Sequence, residues 1–90
     1  MLQDDSQRTP LQTFTWDDDE SASAAVVRAV AAYRGRDPTS MEPLYTAVEP
    51  DALDALFDSR PEQNAYIEFS FAGLRVHLRA DGNGKLFAAP

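Results

Sequence analysis

Hydrophobic and polar positions change their period twice along the chain. Between Leu11 and Trp16 they alternate, with Thr13 and Thr15 on one side and Phe14 and Trp16 on the other, which predicts a short strand. From Ser21 to Gly35 the period lengthens, and Ala22, Val26, Ala29, Val30 and Tyr33 recur at steps of three and four along one face of a helix. Ser21 stands at the N-cap of that helix and Gly35 at the left-handed position that ends it. Arg34 and Arg36 set positive charge against its negative end. Its many alanines raise helix propensity and keep the side chains thin, so the helix is expected to lie close across a sheet.

Pro38 and Pro43 forbid a continuous helix between Asp37 and Val48, where Met41, Leu44, Tyr45 and Val48 supply a second apolar face. A turn, or a helix of one to two turns, is expected there, with Tyr45 a buried ring whose hydroxyl bonds to backbone, the alternative being a recognition aromatic. Pro50 suits the first position of another helix, from Pro50 to Phe57 or Asp58, with Leu53, Leu56 and Phe57 inward and Val48 stapled to Leu53. Arg60 to Asn64 reads as a loop. Met1 to Pro10 is polar and aperiodic and reads as a disordered lead to a single domain over residues 11–90.

After the loop the period returns to two. Ile67, Phe69 and Phe71 share one face of a strand, and Leu74, Val76 and Leu78 share one face of the next. A turn at Ala72-Gly73 sets Phe71 against Leu74, Phe69 against Val76 and Ile67 against Leu78. The same register places Ser70 by Arg75, Glu68 by His77 and Tyr66 by Arg79 on the solvent side, and a slip of one residue breaks both sets. A two-residue turn favours Gly or Asn at its first position, where this chain has Ala72. Asp81-Gly82-Asn83-Gly84 forms a second turn built on glycines that accept positive φ. Lys85-Leu86-Phe87 then returns as a short edge strand, with Phe87 joining Leu78. The fold class is α+β: a small antiparallel sheet, from the N-terminal strand plus the C-terminal hairpins, packed on one face by two to three helices.

Charge changes the picture more than composition does. The 90 residues carry 15 Asp and Glu against 8 Lys and Arg, a formal net charge of −7, and Lys85 is the single lysine. Such a surface repels a phosphate backbone, so nucleic acid is not favoured as a partner. An Asp-rich, Lys-poor surface suits a salt-filled cytoplasm, where screening removes its self-repulsion. There is no cysteine, hence no disulfide framework or thiolate chemistry, and one histidine leaves no usual tetrahedral zinc set. No run approaches the roughly 20 apolar residues of a membrane span, and Met1 to Asp5 lacks the basic and apolar regions of a signal peptide. A cytoplasmic location, without a membrane partner, is therefore expected. So short a chain removes only about 60 to 65% of its unfolded surface from water, which invites a protein partner or a second copy.

The candidates for chemistry are few. Asp17-Asp18-Asp19-Glu20 lacks the alternation and the glycine of a hard-cation loop, and reads as a solvated cluster near the positive start of a helix. Gly82-Asn83-Gly84 has no following helix with which to cradle a dinucleotide, so no cofactor is assigned. His77 faces Glu68 on the solvent side, but no serine, lysine or metal motif accompanies the pair, so no catalytic or metal-binding residue is assigned and the chain is read as non-enzymatic. Arg75, His77 and Arg79 form a basic stripe, read first as salt-bridging Glu68 and its neighbours and, as a functional alternative, as contacting phosphates or an acidic partner surface. With the edge aromatics Phe14, Trp16 and Phe87, they are the candidate interface residues.

The order of these elements, with its residues, resembles the halobacterial output domain family, of the first type so named. The likeness is carried by the helix from Ala24 to Thr39, by Met41 to Phe57, and by the hairpin from Ile67 to Gly84. Pro43-Leu44-Tyr45 followed by Pro50-Asp51-Ala52-Leu53-Asp54 is its most distinctive part. Family members commonly carry Asp before that proline, where this chain has Glu49, a weaker N-cap. The resemblance implies a haloarchaeal origin and a role in signal transduction beside or downstream of receiver and sensor modules. It supplies no catalytic residue and no cofactor. The expected function is an output module that binds another protein or itself; the alternative is a small-molecule-binding regulatory domain.

Overall fold

In a computed structural model, which describes residues 9–59, 62 and 64–89, the alternating and helical stretches become β1 (Gln12–Thr15), α1 (Ala22–Arg34), two 3-10 turns (Pro38–Ser40 and Leu44–Thr46), α2 (Pro50–Asp58), β2 (Tyr66–Phe71), β3 (Leu74–Arg79) and β4 (Asn83–Ala88). The expected disordered lead lies outside the described residues as far as Arg8, as do Arg60, Pro61 and Gln63 of the expected loop.

The caps fall where the sequence sets them. Ser21 Oγ accepts the Ala24 N–H, and Gly35, at φ 66°, turns the chain out of α1. Glu49, although longer than the usual cap, accepts the Asp51 N–H at 3.0 Å and starts α2. The two helices are tied together by Asp54, whose carboxylate accepts both the backbone N–H and the hydroxyl of Ser23 at 2.8 Å. A side chain of α2 thus satisfies a backbone donor in the first turn of α1.

All strand pairs are antiparallel, in the order β1-β4-β3-β2. The β2–β3 register is the expected one throughout, from Tyr66 opposite Arg79 to Phe71 opposite Leu74. Its turn holds Ala72 at φ 54° and Gly73 at φ 78°, so both central residues take the left-handed conformation of a type I′ turn. Alanine bears this at a cost of about 1 kcal/mol, and the turn is braced from outside by Arg34, whose Nη2 donates to the Ala72 carbonyl at 2.8 Å.

The last strand corrects the sequence reading. β4 is not an edge, for it lies between β3 and β1 and begins at Asn83, leaving Gly82 (φ 92°) as the positive-φ glycine of the second turn. Leu86, opposite Val76, enters the core in place of Phe87, and Leu78 faces Gly84. The reason is steric. The Phe14 ring lies directly over Gly84, and a Cβ there would overlap the ring, so Gly84 must point inward and parity then sends Phe87 to the other face.

The core between the inner sheet face and the helices contains Phe14, Val26, Val30, Leu44, Leu53, Phe71, Val76, Leu78 and Leu86. Three residues expected inside are exposed. Tyr45 is 69% exposed because the 3-10 turn that buries Leu44 swings the next residue outward, so the buried-ring expectation fails. Leu56 is 45% exposed because α2 packs mainly on α1 and buries the narrow stripe at Leu53. Tyr33 stands in the last turn of α1, beyond the buried run that ends at Ala31.

Candidate functional site

Strand alternation sends one set of side chains away from the helices, and cross-strand pairing arranges them in rows. Ser70, Arg75 and Phe87 form one row; Glu68, His77, Lys85 and Thr13 form the next; Tyr66 and Arg79 form a third. Arg75, His77 and Arg79, predicted as a stripe, are thus brought together, with Lys85 beside them from β4.

At the centre, His77 Nδ1 lies 2.8 Å from Glu68 Oε2, and Arg75 Nε lies 4.0 Å from Glu68 Oε1. The Tyr66 ring stacks on the imidazole with centroids 4.7 Å apart and planes 13° from parallel, and Phe87 meets it edge-on at 6.4 Å. His77 is therefore buried, at 4% exposure, where the sequence reading placed an exposed pair. Tyr66 over the ring and Phe87 beside it contribute to that cover, and Tyr66 itself remains 61% exposed. Arg79 Nε stands 3.5 Å from Asp81, at the margin of this face. Tyr66 and Lys85 were not assigned to a site from sequence. The parity of β2 gives Tyr66 once Ile67 is placed inward, whereas Lys85 needed the corrected phase of β4.

The other candidate interface residues lie elsewhere. Phe14 and Trp16 point to the helix side, with Phe14 buried in the core and Trp16 meeting Phe57 edge-on at 5.8 Å. Phe14 and Phe87, named as edge aromatics for an interface, are both buried. Trp16 and Phe57 floor a groove of about 590 Å³ edged by Asp17, Asp19, Glu20, Asp54, Asp58 and Asp81, among other residues. These carboxylates are engaged locally where their bonds are seen. Asp17 accepts the Asp19 N–H at 3.0 Å, and Glu20 receives Arg28 Nε and Nη2 at 2.8 and 2.9 Å. The Arg28 hydrogen bonds hold the Glu20 carboxyl below the usual carboxylate range and raise the guanidinium in turn. Among the described residues, no group of three His, Cys, Asp or Glu is arranged to hold a metal ion, and no helix is long and apolar enough to cross a membrane.

A small α+β domain with its helices on one side of the sheet and a cationic, histidine-centred opposite face is the class that these features define. The sequence model of halobacterial output domain 1 matches residues 18–83, from the acidic run before α1 to the start of β4. The chain belongs to the halobacterial output domain 1 family. No curated protein and no solved structure matches it. The family's name marks its members as signal-output domains of halobacteria.

Proposed function

We propose that the chain is a non-enzymatic output module of a halophilic archaeon that acts by binding an acidic surface on another signalling protein. The observation that supports this reading is a local excess of positive charge. On a protein of net charge −7, Arg75, Arg79 and Lys85 outnumber Glu68 on the outer sheet face around Tyr66, Asp81 stands at its margin, and most of the groove's carboxylates lie toward the helices. A cationic face on an anionic body attracts an acidic protein patch in a fixed orientation, while the net charge still opposes a nucleic-acid backbone. The exposed Tyr66 ring adds an aromatic contact of the kind enriched in interfaces.

The test is calorimetric titration against the signalling proteins encoded beside its gene. Arg75→Ala with Lys85→Ala is expected to weaken binding about tenfold or more, and Arg36→Ala, at the end of α1, to leave it unchanged. Binding that survives the double variant but is lost in Trp16→Ala would move the interface to the groove. Small-molecule regulation remains the second reading. It would use the groove floored by Trp16 and Phe57, whose carboxylate rim suits a cationic ligand.

The halophilic part of the reading has its own measurement. Thermal melts are expected to shift upward as KCl approaches molar concentration, because the Debye length contracts to about 3 Å and the carboxylates cease to repel one another. Choline chloride and sulfate salts separate this screening from a general strengthening of apolar burial. A midpoint that stays flat or falls would reject it.

A further inference from the structure

The sheet ends on β2, whose far side meets no other strand among the described residues. The two-residue turn makes Phe71 and Leu74 a hydrogen-bonded pair, and the ladder then alternates through Phe69 and Ile67 to the Ala80 N–H bond onto Ala65, at 2.8 Å. Backbone groups of the intervening residues, those of the exposed Tyr66 and Ser70 among them, therefore point away from β3. Natural edges are commonly guarded by proline, charged side chains or a bulge; Tyr66–Phe71 has no proline and no bulge, and its one charge, Glu68, is paired with His77. On the helix side Ile67 and Phe69 are only half-buried, whereas their partners Leu78 and Val76 are fully buried, so apolar surface continues out to the edge.

We propose that β2 pairs antiparallel with β2 of a second copy, joining two four-stranded sheets into one and their outer faces into one continuous surface. Parity restricts the register, because inward residues must meet inward residues. A pairing centred on Glu68 sets two carboxylates against each other. The pairing centred on Phe69 sets Phe69 against its own copy, Ile67 against Phe71 and Glu68 against Ser70. In that register Arg75, which neighbours Ser70 on β3, lies one strand from Glu68 of the second copy, and two-fold symmetry makes the contact twice. Apolar match and charge match select the same arrangement, and a second copy fills it without any further partner.

Light scattering on the 90-residue chain in molar KCl is expected to give the mass of two chains, dissociating on dilution into the micromolar range. Ser70→Pro removes an outward N–H and spares the β3 ladder, so it is expected to raise the dimer dissociation constant about tenfold or more while circular dichroism stays unchanged. The natural chain has no cysteine, so register can be read by oxidation. Phe69→Cys would bring two Cα atoms to about 4.5 Å in a non-hydrogen-bonded pair, within disulfide reach, whereas Ile67→Cys would not. Rapid cross-linking of the first and slow cross-linking of the second supports the pairing even if the proline variant fails to fold. A monomeric mass at every concentration overturns it. So does a dimer that persists in folded Ser70→Pro, or equal cross-linking of the two cysteine variants.

Discussion

Gly84→Ala is expected to lose about 3 kcal/mol of stability, from a total of roughly 5 to 13 kcal/mol for a chain of this length. The backbone at Gly84 is not in the left-handed region, so glycine is not required there for its φ. It is required because the Phe14 ring occupies the space a Cβ would take. The ring has two ways to yield. It can swing out of the core, giving up the burial of a Phe, or β1 can lift from β4 and forfeit the ladder that includes Phe14 opposite Gly84. Gly35→Ala is the control. A Cβ at Gly35 has nothing within 4 Å and only the φ of 66° to resist it, so that change should cost about 1 kcal/mol. Chemical denaturation in high KCl would compare the two. A smaller loss at Gly84 than at Gly35 would show that Phe14 has room to move. Phe14→Leu is expected to recover part of the Gly84→Ala loss.

The second large effect falls on Phe71. Phe71→Ala is expected to cost about 3 to 5 kcal/mol, and Phe69→Ala about half as much. Alternation alone places both rings on the inner face and suggests Phe69 as the centre of the core, since it lies mid-strand. Phe71 is 2% exposed and belongs to the buried cluster, while Phe69 packs against that cluster from its rim. Removing the enclosed ring leaves a cavity that the surroundings cannot fill, whereas the rim site opens to water and can relax. Thermal melts would resolve the pair, because 1 kcal/mol shifts the midpoint of such a domain by about 4–8 °C. Equal shifts would mean that β2 is enclosed to its outer edge.

The residues that proved legible are those with a side chain to show their phase. In β2 and β3 an apolar residue stands at every second position, so one turn placed at Ala72 and Gly73 fixes the whole register. The helix boundaries were legible because Ser21 and Gly35 carry the capping chemistry themselves. β4 was misread because one of its inward positions is a glycine. With no apolar side chain at Gly84, the eye attaches the strand to Phe87, which is one residue out of phase and therefore on the wrong face. The burial of His77 was hidden for the same reason, since Phe87 helps enclose the ring. Exposure at Tyr45 and Leu56 depends on how far the short helical segments reach over the core, a matter of packing that periodicity does not encode. Trp16 and Phe57 meet where α2 packs on the start of α1, a packing that the Asp54 bonds to Ser23 reinforce, and nothing local in either segment announces it.

The placement of β1 against β4 also orders the assembly of the domain. β2, β3 and β4 form a meander closed by tight turns, so their contacts are local and cost little loop entropy. β1 reaches its partner only across nearly the whole chain, from Thr15 to Asn83. Its contribution to mean contact separation is large, and long-range closure of this kind slows folding. On loop entropy alone the meander is expected to form first and β1 to add late, which low φ-values in β1 would check. The Phe14 ring that forbids a side chain at Gly84 then couples β1 to β4, so that loss of that contact is expected to weaken both strands together.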